Sequence, residues 1–384
     1  MNKYVASLSS LILALTATTA AAQTQRALLI GINTYQPAGT TAQHPAGCIY
    51  GRCELGAFQN LDGAVNDAQA MADLLTSPKF GFPANQVVLL TNPAPPQPRT
   101  GVVVLPAAET DRAGILAAMR KYLVDEPQRG DTVVFYDASH GSLRVNSKGT
   151  KLTILSGGKY VHADSTLVPS DAYKGGFDVR DREMARIFNA ALDKGVHLTA
   201  IFDSCHSGGI SRGIGPRYKE RMLAFDPRDI GEDADTLPNG QPQPAPTERA
   251  DNPALVFSAA EQDQTAKEMP PTEKTAEPHG AFTAALIESL QALPADSSAS
   301  LVYQRVKAVL EGGSVPDQEP DLDATAARRQ QPLFGGKAGD SGKIRTAALQ
   351  TDGNGSVWLD IGRVQESAWE ASSRRPVRTA RDRR

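Results

Sequence analysis

His197-Leu-Thr-Ala-Ile-Phe-Asp203-Ser204-Cys205-His206-Ser207-Gly208-Gly209 is a run of mainly apolar residues closed by reactive side chains and glycines. A continuous stretch such as Leu198 to Phe202 is how a strand buried on both faces of a parallel sheet reads. The residues that end it supply a carboxylate, a thiol and an imidazole within one turn. The same design occurs once upstream, in Thr132-Val-Val-Phe-Tyr-Asp137-Ala138-Ser139-His140-Gly141. Open parallel sheets carry their chemistry in loops at the carboxyl ends of strands, and strands consecutive in sequence tend to be neighbours. A histidine and a cysteine at two such ends are then expected to face one another.

The pattern extends in both directions. Arg26-Ala-Leu-Leu-Ile-Gly-Ile-Asn33 and Gln86-Val-Val-Leu-Leu-Thr91 read as strands, and Ala254-Leu-Val-Phe-Ser258 as another. Between them, apolar residues recur at helical spacing over 62–75, 110–124 and 181–192, and again near 281–292 and 299–311. Residues 142–168 mix short β-prone pieces with glycine pairs, as hairpins do. Strand and helix in alternation call for an α/β fold with a mainly parallel central sheet flanked by helices on both faces.

Composition removes several classes. Over 384 residues, hydrophobic types are 40%, charged types 22%, and the formal net charge is −3. This is not a disordered chain, and the near-neutral balance gives no reason to expect nucleic acid. After residue 22 no apolar run is long enough for a membrane span. Residues 1–22 read as a signal peptide: Lys3, an apolar stretch from Val5 to Ala20, and Ala20-Ala21-Ala22 before Gln23. The expectation is an exported protein, periplasmic or secreted. Its three cysteines then leave at least one thiol without an internal partner.

A Cys-His pair is a nucleophile with its base. Cys205 and His140 are the candidates, and His206, adjoining Cys205 in the chain, is a poor alternative base. Taken alone, each residue also fits a bland role: Cys205 as a small core side chain, His140 as a turn residue.

The segment Asp203 to Gly208 resembles the cysteine motif of metacaspases and bacterial caspase-like cysteine peptidases, and Phe135 to Gly141 resembles their histidine motif. Further matches follow in order at Arg26 to Asn33, Leu61 to Ala68, Leu167 to Ala172, Phe257 to Ala266, Gly280 to Thr283 and Pro332 to Phe334. The resemblance covers 26–336, with 337–384 as a C-terminal extension. It implies a three-layer caspase-hemoglobinase sandwich and hydrolysis of peptide bonds through an acyl-thioester. By carry-over, Cys205 is the nucleophile and His140 the general base and then acid. The backbone N–H groups of Gly141 and Cys205 form the oxyanion hole.

Metacaspases cut after Arg or Lys, and the acids of their pocket match Asp67 and Asp203. Two carboxylates suit a guanidinium or ammonium. Read without the resemblance, Asp67 is also a helix-start charge favoured by the dipole, and Asp203 a cap on a strand-end turn. The chain departs from the family at Ala138-Ser139, where relatives carry Ser-Gly. Many metacaspases bind calcium through aspartates matching Asp171 and Asp181, but Arg182 stands where their second consecutive aspartate does. An arginine opposes a hard cation. The expectation is therefore no cofactor, with calcium at most a weak requirement, and no metal ligand is assigned.

Residues 226–252 are rich in proline and charge and read as a linker between large and small subunit portions. Arg217, Lys219, Arg221, Arg228 and Arg249 flank or enter it, so a protease with basic specificity could clip itself there. Cys48 and Cys53 are close enough in sequence to form a disulfide in an oxidising compartment. The competing metal site with His44 lacks a fourth local ligand. The bridge is expected to stiffen a wall of the specificity pocket near Asp62 and Asp67. The tail from Arg374 to Arg384 holds six arginines against one aspartate. It reads as a solvated basic end that could also bind an anionic lipid or polymer.

The leading reading is a cysteine endopeptidase acting on protein or peptide substrates with basic residues. Two others stand beside it: a catalytically idle scaffold that keeps the fold, and a peptidase of the clan with Asp or Asn specificity. The sequence gives no oligomeric state.

Overall fold

The computed structural model describes residues 23–44, 51–54, 56–149, 152–154, 160–205, 218–231, 254–261, 264–271, 276–313, 315, 317–335, 348–351 and 357–359. The leader 1–22, Cys48, His206, Arg217, Arg249 and the basic tail lie outside the described residues. In chain order the strands are β1 (Gln25–Ile32), β2 (Val87–Asn92), β3 (Val103–Val104), β4 (Thr132–Ala138), β5 (Gly141–Val145), β6 (Leu152–Ile154), β7 (Tyr160–Leu167) and β8 (Val179–Arg180). They continue as β9 (His197–Asp203), β10 (Lys219–Glu220), β11 (Leu255–Ser258), β12 (Lys267–Met269), β13 (His279–Gly280), β14 (Asp321–Asp323), β15 (Ala348–Thr351) and β16 (Val357–Leu359). The helices are α1 (Ala64–Leu75), α2 (Arg112–Met119), α3 (Asp181–Asp193), α4 (Ala281–Ala292), α5 (Ala299–Gly312) and α6 (Ala326–Arg329).

Seven strands form the central sheet in the order β14-β11-β9-β4-β1-β2-β3, all parallel except β14, which runs antiparallel to β11. The apolar runs at β1, β4 and β9 occupy its middle, where Leu28, Ile30, Val134, Phe135 and Ile201 are fully buried. Alternation along β4 sorts the helices into two layers. Phe135 packs on Phe188 of α3, ring centroids 5.5 Å apart, whereas its neighbour Tyr136 reaches Thr283 of α4 at 2.6 Å. The helices therefore cover both faces, and the α/β sandwich expected from the sequence is present.

One close approach sets the position of α1. A Cβ on Gly31 of β1 would lie 2.5 Å from the carbonyl oxygen of Ala64 and 2.9 Å from the Ala68 methyl. Only glycine lets helix and strand approach this closely, and Asp67 rides on the first turn of that helix.

Three expectations need adjusting. The helix predicted over 110–124 is α-helical only to Met119 and continues as a π-helical turn over Arg120–Asp125, keeping Leu123 buried. The linker expected over 226–252 begins docked. Asp226 is buried, its N–H donates to Leu143 O at 2.8 Å, and Ile230 N donates to Val145 O at 3.2 Å. Residues 232–253 lie outside the described residues. The single strand read near 356–361 is one half of a pair, with β15 antiparallel to β16.

Candidate active site

The register of the central sheet builds the site. β4 and β9 pair in parallel with Ala138 opposite Asp203, so the residues after each, Ser139-His140 and Ser204-Cys205, leave the sheet side by side. Asp137 ties the two ends together. Its Oδ2 accepts from Ser139 Oγ at 2.9 Å and from Ser204 Oγ at 3.0 Å, and all three residues are buried. Burial pushes the Asp137 carboxyl up to about 7 against those hydrogen bonds. The serine that departs from the family pattern thus has a job in this chain: its hydroxyl satisfies a buried carboxylate. The two loops touch at Gly141, where a Cβ would fall 1.6 Å from the Cys205 carbonyl oxygen.

His140 is 1% exposed and held from three sides. Its N–H donates to Tyr35 Oη at 2.6 Å, and the Tyr35 and His140 ring centroids are 4.6 Å apart. Its Nε2 lies 2.9 Å from the Gln59 carbonyl oxygen. A carbonyl only accepts, so the proton sits on Nε2 and Nδ1 keeps a free lone pair. That Nδ1 is buried without a hydrogen-bond partner among the described residues. Burial, with Arg221 adding to it, lowers the imidazole to about 3.

Among the described residues Cys205 is the free cysteine, and it is fully buried. Its Sγ accepts from the Ala266 N–H at 3.0 Å, and burial pushes the thiol up to about 12 despite that bond. In this arrangement thiol and imidazole are both neutral, not an ion pair.

The groove beside them is filled by the chain itself. Gly141 N and Cys205 N, the two expected oxyanion donors, both point at one acceptor, the backbone oxygen of Arg221, at 3.0 and 3.3 Å. The Arg221 side chain, 0% exposed, ends between acids. Its Nη2 pairs with Asp67 Oδ2 and lies 3.3 Å from Glu268 Oε2, while Nη1 is 3.0 Å from Asp203 Oδ2. Burial alone would lower this guanidinium, but Asp203, Asp67 and Glu268 together hold it well above the usual arginine range.

The acids are held in turn. Asp67 accepts from His279 Nδ1 at 2.8 Å and Gly280 N at 2.9 Å, and Asp203 accepts from Thr283 N at 3.1 Å and Thr283 Oγ1 at 2.5 Å. A Cβ at Gly280 would lie 2.1 Å from Asp203 Oδ2, so the pocket floor must be glycine.

The structure thus brings together His140, Gly141, Cys205, Asp67 and Asp203. Sequence reading missed Glu268, His279, Asp137 and the position of Arg221. The motif quoted from Phe257 stopped at Ala266, two residues short of Glu268, and only the strand register of β12 turns that side chain to the pocket.

Half of the expected disulfide lies among the described residues. Cys53 is in disulfide form, while Cys48 lies outside the described residues. The turn that carries Cys53 is tied to the segment downstream of Arg221. Its Arg52 donates to Ala224 O at 3.0 Å through Nε and to Phe225 O at 3.2 Å through its backbone N–H, downstream of Arg221. Arg52 is buried and forks onto Asp178, which fixes the turn at that place.

The positions matched to calcium ligands do not fit a hard cation. Asp171 Oδ1 accepts from Arg112 N at 3.2 Å, Arg182 N donates to Asp181 Oδ1 at 2.7 Å, and Arg182 pairs with Asp164 at 3.3 Å. Among the described residues no three His, Cys, Asp or Glu side chains cluster as ligands would.

A parallel sheet with paired strand-end loops, one carrying a buried thiol and the other a tautomer-fixed imidazole, defines the architecture of a caspase-like cysteine peptidase. The caspase domain family matches residues 24–333, and the chain belongs to that family of cysteine peptidases. Among curated relatives, it is 32% identical over 185 residues to Metacaspase-1A of Aspergillus oryzae, covering 48% of this chain and 35% of that protein. It is 31% identical over 188 residues to Metacaspase-1 of Schizosaccharomyces pombe, covering 49% and 40%. The match therefore spans well under half the length of these relatives. Solved structures that are similar include a protein of Geobacter sulfurreducens (TM-score 0.48, 18% identity, 81% of this chain and 98% of that one) and Caspase-1 of Spodoptera frugiperda (TM-score 0.41, 11% identity, 79% and 86%).

Proposed function

We propose that this chain is an endopeptidase that cuts after arginine or lysine through Cys205 and His140. One observation carries the reading: an arginine lies with its side chain between Asp67, Asp203 and Glu268 and its carbonyl oxygen on Gly141 N and Cys205 N. That is the pose of the residue before a scissile bond. A forked guanidinium satisfies several carboxylates at once, whereas an acidic side chain would meet like charge.

The chemistry follows from which atoms are already engaged. Nε2 of His140 is held by Gln59, so Nδ1 takes the thiol proton. The sulfur adds to the carbonyl carbon, and the oxyanion is held by the two backbone N–H groups. Collapse breaks the C–N bond, and the leaving amine takes the proton from Nδ1. Water, giving a proton back to Nδ1, then hydrolyses the thioester and frees the thiol. With burial raising the thiol to about 12 and lowering the imidazole to about 3, the neutral pair is the resting form, and desolvation holds the proton on sulfur until a substrate reorganises the groove.

The test is turnover of short reporter peptides ending in Arg, Lys, Asp or Asn. Arg and Lys reporters are expected to be cut by the wild type, with loss of about a thousandfold or more in Cys205→Ala and His140→Ala. Turnover of Asp or Asn reporters alone would overturn the pocket assignment, and no turnover of any would favour an idle scaffold. We also propose export through the 1–22 leader, supported by its charge, apolar core and Ala20-Ala21-Ala22 ending.

A further inference from the structure

We propose that Lys267 selects the substrate residue just before the arginine, so that this site prefers an acidic side chain at that position and cuts after Glu-Arg or Asp-Arg. The proposal rests on the peptidase reading above and adds a second subsite to it. It needs the segment 219–221 only to lie where a substrate lies, as the side chain and carbonyl oxygen of Arg221 both do.

The strand pairing sorts the side chains. β10 runs antiparallel to β12 with Lys219 opposite Glu268 and Glu220 opposite Lys267, and Arg221 N donates to Ala266 O at 2.9 Å. Directly opposed residues share a face, and successive residues alternate. Lys219, Arg221 and Glu268 therefore lie on the pocket side, while Glu220 and Lys267 share the other. An extended peptide added to the same edge of β12 would set the residue before its arginine against Lys267.

Lys267 is a buried cation held by backbone alone. It is 8% exposed, and its Nζ donates to Thr265 O at 3.3 Å and to Asp317 O at 2.9 Å. An ammonium has three hydrogens, and among the described residues no carboxylate pairs with this one, which leaves the third for a ligand. The lysine is also tied at its backbone. Gln318 Oε1 accepts from Lys267 N at 3.0 Å, and Gln318 Nε2 donates to Ala259 O at 3.1 Å. Asp317, whose carbonyl fixes the ammonium, has φ 51°, the one left-handed backbone among the described non-glycine residues. Strain of that kind persists where the surrounding fold holds it in place.

Glu220 shows what the position takes. Burial lowers the Lys267 ammonium, and Glu220 is the foremost charge opposing that. The Glu220 carboxylate also accepts from Thr265 Oγ1 at 3.4 Å. A lysine that merely tied two loops would not need to stand opposite the position a substrate strand fills. A desolvated ammonium there is stabilised by a carboxylate and repels a second cation. Lys219, one residue further back, pairs with Asp62 where both side chains are about half exposed, so that position carries little selectivity.

The experiment uses the full chain as wild type, Lys267→Met, Lys267→Gln and Lys267→Arg, and reads kcat/KM on reporter peptides ending in Lys-Glu-Arg, Lys-Gln-Arg and Lys-Lys-Arg. The wild type is expected to prefer Glu over Gln roughly tenfold, and Gln over Lys by a similar factor. Lys267→Arg should keep that order, whereas both neutral variants should cut the Glu and Gln reporters within about twofold of one another. Each comparison is a ratio within one variant, so partial loss of folded protein cancels. A wild type that cuts all three reporters alike overturns the proposal and leaves the peptidase reading standing. A Glu preference that survives in either neutral variant does the same. Loss of all turnover in both neutral variants also counts against it, because a residue that only selects is not needed to cut Gln-Arg. If the wild type cuts none of the three, both readings fall.

Discussion

Asp137 is the residue that sequence reading passed over and the structure places at the junction of both catalytic loops. It is buried, bonded to Ser139 and Ser204, and its carboxyl is raised to about 7 by desolvation. A raised acid binds a proton more tightly folded than unfolded, so its ionisation opposes folding progressively between the ordinary aspartate pKa of about 4 and about 7. Asn at this position keeps an acceptor for the serines and cannot ionise. Thermal midpoints of Asp137→Asn and wild type measured from pH 4 to 8 should therefore diverge in the variant's favour as pH rises to 7, then run parallel. A difference independent of pH would show that the carboxyl is ionised throughout. His140 has the opposite slope. Its imidazole, lowered to about 3, contributes stability present above the ordinary histidine value of about 6.5 and lost as pH falls toward 3. At this scale Cys205 and His140 were legible because reactive residues beside glycine at strand ends are a local pattern. Glu268 and Asp137 were not, since each acquires its meaning from a residue on another strand.

At the scale of elements, the apolar runs β1, β4 and β9 read directly from the chain, and neighbouring order followed from sequence order. What could not be read was where segments without a periodic pattern would dock. Residues 226–231 have a linker's composition, yet lie along β5 because Leu143 and Val145 offer unpaired edge groups there. The seat of α1 gives a test of how element packing reaches the site. Adding a methyl at Gly31 puts a Cβ 2.5 Å from the Ala64 carbonyl, so α1 must move away from β1 and carry Asp67 with it. Overpacking of this kind costs about 1–3 kcal/mol. Gly31→Ala is expected to melt several degrees lower and to lose turnover of Arg reporters more than its loss of folded fraction explains. Equal losses would mean that the pocket does not depend on the helix seat.

The whole molecule is stitched across the segment that carries Arg221. Strands β1, β4 and β9 precede Arg221, while β11 and β14 follow it, and β9 pairs with β11 from Thr199 opposite Leu255 to Phe202 opposite Ser258. Thr199 Oγ1 also donates to Leu333 O at 2.7 Å. Protein nicked by added trypsin within 226–252 should therefore elute as one species by size exclusion and separate into two only in denaturant. Fragments that part under native conditions would mean that the sheet does not survive the cut. The sandwich and its family were legible in the sequence because motifs in a fixed order imply a fixed sheet; the occupied groove was not, because occupancy is a property of the folded chain.

The bond from Ala266 N to Cys205 Sγ has a further consequence, for redox chemistry. Thiol–disulfide exchange needs an accessible thiolate, and a sulfur that is fully buried and protonated is a poor attacker of the Cys53 bridge or of an outside oxidant. The segment through Arg221 therefore covers the odd cysteine chemically as well as sterically. Enclosure of this kind keeps the Cys205 sulfur reduced while Cys53 is in disulfide form.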